Sequence, residues 1–152
     1  MKTVFTILFL TLVIAACSLN ARQEASLSES TTNYIEARKA GALLAYVSMQ
    51  HPEVVKHYKS KGDSAFVKKF NVEPKDYFSE DPFIKQIAEK GSRIHVLYEA
   101  KVIPSEWEQA EEEVRKFVAI SENNGKSWFY MDWSDYVDKS VAPDFERMAE
   151  LK

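Results

Sequence analysis

The thiol is the scarcest side-chain group in this sequence: one cysteine, Cys17, stands in 152 residues. A disulfide within the chain and a multi-thiolate metal site are therefore both excluded. Glycine is nearly as scarce, with four residues. None of the four builds a glycine-rich phosphate loop or a Gly-x-Ser-x-Gly nucleophile elbow. The three histidines form no His-Glu-x-x-His pair. His51 and His57 lie six residues apart, a separation that puts them on different faces of a helix, and no acidic loop has calcium-ligand spacing. No metal and no cofactor is expected on these grounds. A large excess of positive charge is also missing, since the formal net charge is -3. Nucleic acid is accordingly not an expected partner. Finally, no apolar run reaches the roughly 20 residues that a membrane-spanning helix needs. The apolar stretch Val4 to Ala16, broken only by Thr6 and Thr11, is thirteen residues.

That stretch is informative in itself. It follows Met1 and Lys2, a small positive end, and leads into the small residues Ala15 and Ala16, as in the apolar segment and cleavage site of an export signal. The four residues Ile14, Ala15, Ala16 and Cys17 resemble the lipobox of bacterial lipoproteins: an aliphatic residue, two small ones and then cysteine. The resemblance covers the first 17 residues and implies that the Cys17 thiol receives a diacylglyceryl group. It further implies that the chain is cut between Ala16 and Cys17, and that the new amino group is acylated in turn, commonly with palmitate. Several acyl chains on one residue make a stable anchor where one chain alone is marginal. In enteric members of that family an aspartate after the cysteine retains the protein at the inner membrane. Residue 18 is serine, which implies the outer membrane where the source has one. An ordinary secretory signal cut after Cys17 or Ala21 stays open as the other reading.

Beyond Cys17, the segment SLNARQEASLSESTT, Ser18 to Thr32, is polar and shows no apolar period, the composition of a flexible tether. The chain thus divides into a signal peptide at 1–16, a lipidated cysteine and tether at 17–32, and a single domain at 33–152. Loss of the signal takes Lys2 with it and leaves the mature part slightly more acidic. Five lysines between Lys56 and Lys69 and five glutamates between Glu106 and Glu113 read as solvated faces.

Helical spacing dominates the first half of the domain. Asn33 and Glu36 make a capping box ahead of Tyr34, Ala37, Gly41, Leu44 and Val47, and Pro52 opens a second helix that runs to about Gly62. Asp63 caps a third helix holding Phe66, Val67 and Phe70. Asp81 and Pro82 start a fourth, with Phe83, Ile84, Ile87 and Ala88 as its stripe and Gly91 as its stop. The period then becomes two. Ile94, Val96, Tyr98, Ala100 and Val102 alternate with Arg93, His95, Leu97, Glu99 and Lys101 in a strand that Pro104 ends. A helical or irregular excursion is expected over Ser105 to Glu112, followed by a strand from Val114 to Ser121. In SENNGKSW, Asn124-Gly125 signals a tight hairpin. That stretch also resembles the Asp-box of sialidase-like propellers, with Asn123 at the aspartate position and Ser127 at the threonine position. In that family the box braces a turn and is not catalytic. The returning strand puts Trp128, Tyr130 and Asp132 on one face, and Asp144 can cap a closing helix with Phe145, Met148 and Leu151. Asp132, Asp135 and Asp138 read as solvated turn carboxylates.

The expected fold class is α+β: N-terminal helices packed on a three-stranded antiparallel meander, with a short C-terminal helix. The element order is faintly similar to the cystatin-like and nuclear-transport-factor-like cones. For function, the reading is a membrane-anchored envelope lipoprotein with a non-catalytic binding domain. Its partners would be the membrane through the lipid anchor, and an envelope protein or a glycan, stacked on Trp128 and Tyr130 where that pair is exposed; packed beneath the helices, the same pair is core. The alternative is a small pocketed enzyme or ligand carrier. There His95, oriented by Glu99, is the general base, and Arg93 or Lys101 holds an anion. If that strand face meets solvent instead, the same residues are cross-strand ion pairs.

Overall fold

A computed structural model describes residues 18–71, 76–78, 80–104 and 112–152. The excursion expected over Ser105 to Glu112 falls almost wholly outside them. The first element overturns the tether. Helix α1 spans Ala21–Lys39, and Asn20 caps it with its side chain, accepting from the backbone N–H groups of Arg22 and Gln23. Gln23 Oε1 in turn accepts from the Asn20 N–H at 2.9 Å, which completes a capping box. Arg38 and Lys39 sit in the last turn, where positive charge suits the helix dipole. The polar stretch folds because, beside buried Gln23, Leu27 and Thr31, its half-buried serines find hydroxyl and indole partners. Ser26 accepts from Trp128 Nε1, Ser30 accepts from the Tyr130 hydroxyl, and Thr31 lies within hydrogen-bond distance of the Tyr98 and Tyr130 hydroxyls. Asn33, expected as a cap, is mid-helix.

Gly41, at φ 62°, breaks the chain where one long helix was expected to run on to Met49. Three short helices follow: α2 (Leu43–Ser48), α3 (Pro52–Ser60) and α4 (Asp63–Phe70). Pro52 opens α3 as expected, while the cap of α4 is Gly62, with Asp63 in the first turn.

Five strands make one antiparallel sheet: β1 (Asp76–Phe78), β2 (Phe83–Lys90), β3 (Arg93–Pro104), β4 (Glu113–Ser121) and β5 (Phe129–Asp132). Strands β1 and β2 share one edge of β3, at opposite ends of it, and β4 and β5 follow on the other side. The α+β class holds, but the meander is larger than three strands because residues 83–90, expected as a helix, are β2. The reason is a bulge. The register shifts between Ile84 and Gln86, so Ile84 opposite Tyr98 and Ile87 opposite Val96 lie on the same sheet face three residues apart. A bulged strand thereby reproduces the spacing of a helix, and Gly91, expected as a helix stop, is the hairpin turn into β3.

Both faces of the sheet are covered. On the first, Tyr34 of α1 stacks on Tyr130 with ring centroids 4.2 Å apart, and Phe117 and Tyr98 stack beside them. On the second lie Leu97, Ile120, Val118, Met131 and His95. That face is crossed by α5 (Trp133–Val137) and the segment from Asp138 to the C-terminus. Gln86 holds the segment at both ends of its amide, donating to the Glu150 carbonyl and accepting from the Lys152 N–H. The free edge of β5 is closed too, by paired backbone hydrogen bonds at 2.8 Å between Tyr130 and the Met49–His51 stretch.

The expected closing helix at Asp144 does not form. The Arg147 guanidinium instead gathers the carbonyls of Tyr136, Asp138, Ala142 and Phe145, which fixes the segment in an irregular path with its acceptors satisfied. Helix α5 sits where no regular helix was expected.

Candidate functional site

The largest described cleft lies between α1 and β2 and has a volume of about 810 Å³, within the range of about 300–1,000 Å³ typical of small-molecule sites. Helix α1 supplies one wall because Leu27, Thr31 and Ile35 recur every four residues and so share one helix face. Strand β2 supplies the other through Ile84 and Ile87, brought to the same side by the bulge. Leu19, Leu27, Ile35 and Tyr98 are buried and form the floor. Glu24, Ser28, Glu36, Lys39 and Asp81 form a polar rim. Burial raises the Tyr98 pKa, and its hydroxyl, with Thr31, is the polar feature of the floor. An apolar floor under a polar rim can hold a molecule with a hydrocarbon part and a polar end. The repeat of Leu27, Thr31 and Ile35 was the signal in the sequence for this wall, obscured by the serines and glutamates around it.

None of the residues expected to bind a ligand lines this cleft. Arg93, His95, Glu99 and Lys101 do share one face of β3, but they separate into four environments. Arg93 pairs with Glu122 and Glu146. Glu99 pairs with Lys85 and with Lys116, its direct cross-strand neighbour. Lys101 pairs with Glu80 and Glu112. These are the cross-strand pairs of a solvated face, and Glu99 is not beside the histidine. His95 fits neither reading, being 0% exposed. Its ring stacks on Phe145 with centroids 5.4 Å apart, and its Nδ1 lies 2.8 Å from the Tyr136 hydroxyl. Burial, with His51 and Arg93 as nearby positive groups, pushes its pKa down to about 4. A histidine so enclosed is a core residue.

Trp128 and Tyr130, proposed above as sugar stackers, are 6% and 0% exposed and lie under α1. Their polar tips are already spent on Ser26, Ser30 and Thr31. His51 is buried as well, against Phe145 and Phe129. Among the described residues no group of three or more His, Cys, Asp or Glu is placed to hold a metal ion.

The turn resembling an Asp-box does brace its hairpin. Asn124 and Gly125 have φ of 61° and 78°. Asn123 Oδ1 accepts from the Ser127 N–H, and Ser121 Oγ accepts from the Gly125 N–H at 2.8 Å. The turn also seats α1, because Gln23 Nε2 donates to Asn124 Oδ1 at 2.9 Å.

The most tightly coupled charges join three elements at the far end of β5. Lys69 of α4 lies 2.7 Å from Asp132 and 2.6 Å from Asp135, and the Tyr58 hydroxyl donates to Asp135 at 2.9 Å. Burial pushes the Asp132 carboxyl up, but the Lys69 ammonium and Arg38 guanidinium outweigh it and hold the pKa below the ordinary carboxylate value. Asp135 is buried, so neither it nor Asp132 is a solvated turn carboxylate. With a cation between two carboxylates, the cluster reads as a clasp between elements.

Among the described residues no helix is long and apolar enough to cross a membrane. No family model matches the chain, and neither the curated proteins nor the solved structures contain a match to it.

Proposed function

We propose that this chain is an exported lipoprotein, anchored through Cys17, whose domain binds an apolar or amphiphilic group in the cleft between α1 and β2. The observation that carries the binding half is the cleft itself: a buried apolar floor and the exposed Ile84 beneath a rim of charged and polar side chains. The charged constellations elsewhere are satisfied within the fold. The anchoring half rests on Ile14, Ala15, Ala16 and Cys17 standing in register behind an uncharged stretch. Ser18 in place of an aspartate favours the outer membrane. A glycan partner loses its support with the burial of Trp128 and Tyr130, and general-base chemistry at His95 loses its support with the burial of that ring.

Replacing Cys17 by serine should abolish acyl labelling and release the protein from the membrane fraction. Retention of the Cys17→Ser protein in a detergent-sensitive membrane fraction overturns the anchor. For the binding half, the purified chain from Ser18 onward should bind an uncharged fluorescent alkyl probe, and Ile87→Glu should abolish that binding.

A further inference from the structure

Chain continuity leads from the anchor into the cleft. Ser18 and Leu19 are themselves part of its wall, and Leu19 is 6% exposed. Cys17 is bonded to Ser18, and Asn20 already caps α1, so no free tether separates a lipid on Cys17 from the domain. We infer that this cleft seats one acyl chain carried by Cys17 of the same molecule, an assignment that rests on the lipoprotein reading above.

Three observations support that occupant over others. Leu19, Leu27 and Ile35 of the floor and Ile84 and Ile87 of the wall are hydrocarbon, and the hydroxyls of Thr31 and Tyr98 are already hydrogen-bonded. It therefore suits a chain without polar groups. The rim carries three carboxylates, Glu24, Glu36 and Asp81, against one cation, Lys39. Such a rim repels a free fatty acid or an anionic lipid that must enter head and all, but not a chain whose polar end is already tied to Cys17 outside. Lastly, an attached chain meets the cleft at the high effective concentration of an intramolecular ligand, which a free lipid lacks. A bilayer is as apolar as the cleft, so hydrophobicity alone does not favour the transfer. What favours it is the apolar wall that the cleft leaves in water, the exposed Ile84 and half-buried Ile87, which an acyl chain covers while the bilayer closes over the vacated volume. The remaining acyl chains on Cys17 stay in the membrane, and the domain lies at the bilayer surface.

The test uses the full chain expressed in a lipoprotein-processing bacterium fed a diazirine fatty acid. Intact mass establishes whether Cys17 is acylated, and irradiation followed by peptide mass spectrometry locates crosslinks. The expected result is acylated protein with crosslinks to peptides from the 24–36 face of α1 and from 82–87. Ser28→Trp fills the cleft from an exposed helix position and should abolish those crosslinks, while Glu29→Trp, on the outward side of the same helix, should leave them unchanged. Acylated protein crosslinked to lipid alone overturns the inference and leaves the lipoprotein reading standing. Undiminished crosslinks in Ser28→Trp also overturn it. Protein without acylation at Cys17 overturns both.

Discussion

Met148, Tyr136 and His95 form a chain of hydrogen bonds. The Met148 N–H donates to the Tyr136 hydroxyl at 2.7 Å, and that hydroxyl lies 2.8 Å from His95 Nδ1. Burial favours the neutral form of His95 and pushes Tyr136 up to about 12. The unfolded chain binds a proton at His95 near pH 6.5, while the folded protein does so only near 4. Stability from this residue is full above pH 6.5 and is lost as pH falls towards 4, by about 3 kcal/mol in all. His51, whose pKa burial also lowers, acts in the same direction. Urea titrations at pH 7.5 and 4.5 should show this loss, and His95→Leu should flatten it at some cost in stability at pH 7.5. A second residue-scale test is Gly125→Ala. The added Cβ would lie 2.6 Å from Gln23 Cγ, at a φ of 78°, so a loss of about 1–2 kcal/mol is expected. Thermal melts should register a drop of several degrees.

At the scale of elements, α1 is where sequence and structure diverge most. The stretch before Asn33 looked too polar to fold because apolar periodicity measures only one way of burying a helix. Here serine and threonine hydroxyls are paired with the polar ends of tryptophan and tyrosine across the interface, information that resides in residues about 100 positions away. A chain starting at Asn33 should therefore lack a cooperative unfolding transition. Loss of buried Leu27 alone costs about 2–5 kcal/mol, against a total stability of about 5–15 kcal/mol for an ordinary domain. Calorimetry of that chain beside one starting at Ser18 checks it. Strand β2 failed for a different reason: one bulge residue, Lys85, converts a period of two into an apparent helical repeat. By contrast β3, β4, the Asn124-Gly125 turn and α3 were legible, since each is specified by neighbours in sequence: alternation, a pair of residues tolerant of positive φ, and a proline at a first turn.

Over the whole molecule, the clasp of Lys69 with Asp132 and Asp135 joins the helical half to the end of the sheet. Lys69→Ala removes the cation that the two carboxylates share, leaving Asp132 with the Arg38 guanidinium and Asp135 with the Tyr58 hydroxyl. The expected loss is about 2 kcal/mol near pH 7, reduced from the figure for a fully buried pair because Lys69 and Asp132 retain some solvent contact. Removal of the cation raises the carboxylate pKa in the folded variant, so its deficit relative to the native chain should be larger at pH 7.5 than at pH 4.5. Denaturant midpoints of the two proteins at the two pH values decide it. The same scale explains why candidate site residues misled. Alternation correctly placed Arg93, His95, Glu99 and Lys101 on one face, but alternation is silent about what covers a face. The C-terminal segment buries His95, while the other three stay partly exposed in ion pairs, Arg93 with Glu146 of that segment, Glu99 with Lys85 and Lys101 with Glu80.

Local patterns determined, by themselves, the α+β class, the hairpin that follows β4, the scarcity of thiol and metal-binding chemistry, and the expectation of a lipid anchor at Cys17. Each depends on residues close in sequence, where spacing alone carries the physics. Tertiary structure decided that α1 belongs to the domain, that His95, Trp128 and Tyr130 are core, and that an apolar cleft begins at Ser18. Those outcomes depend on which surfaces meet, and burial is a property of the partner as much as of the residue.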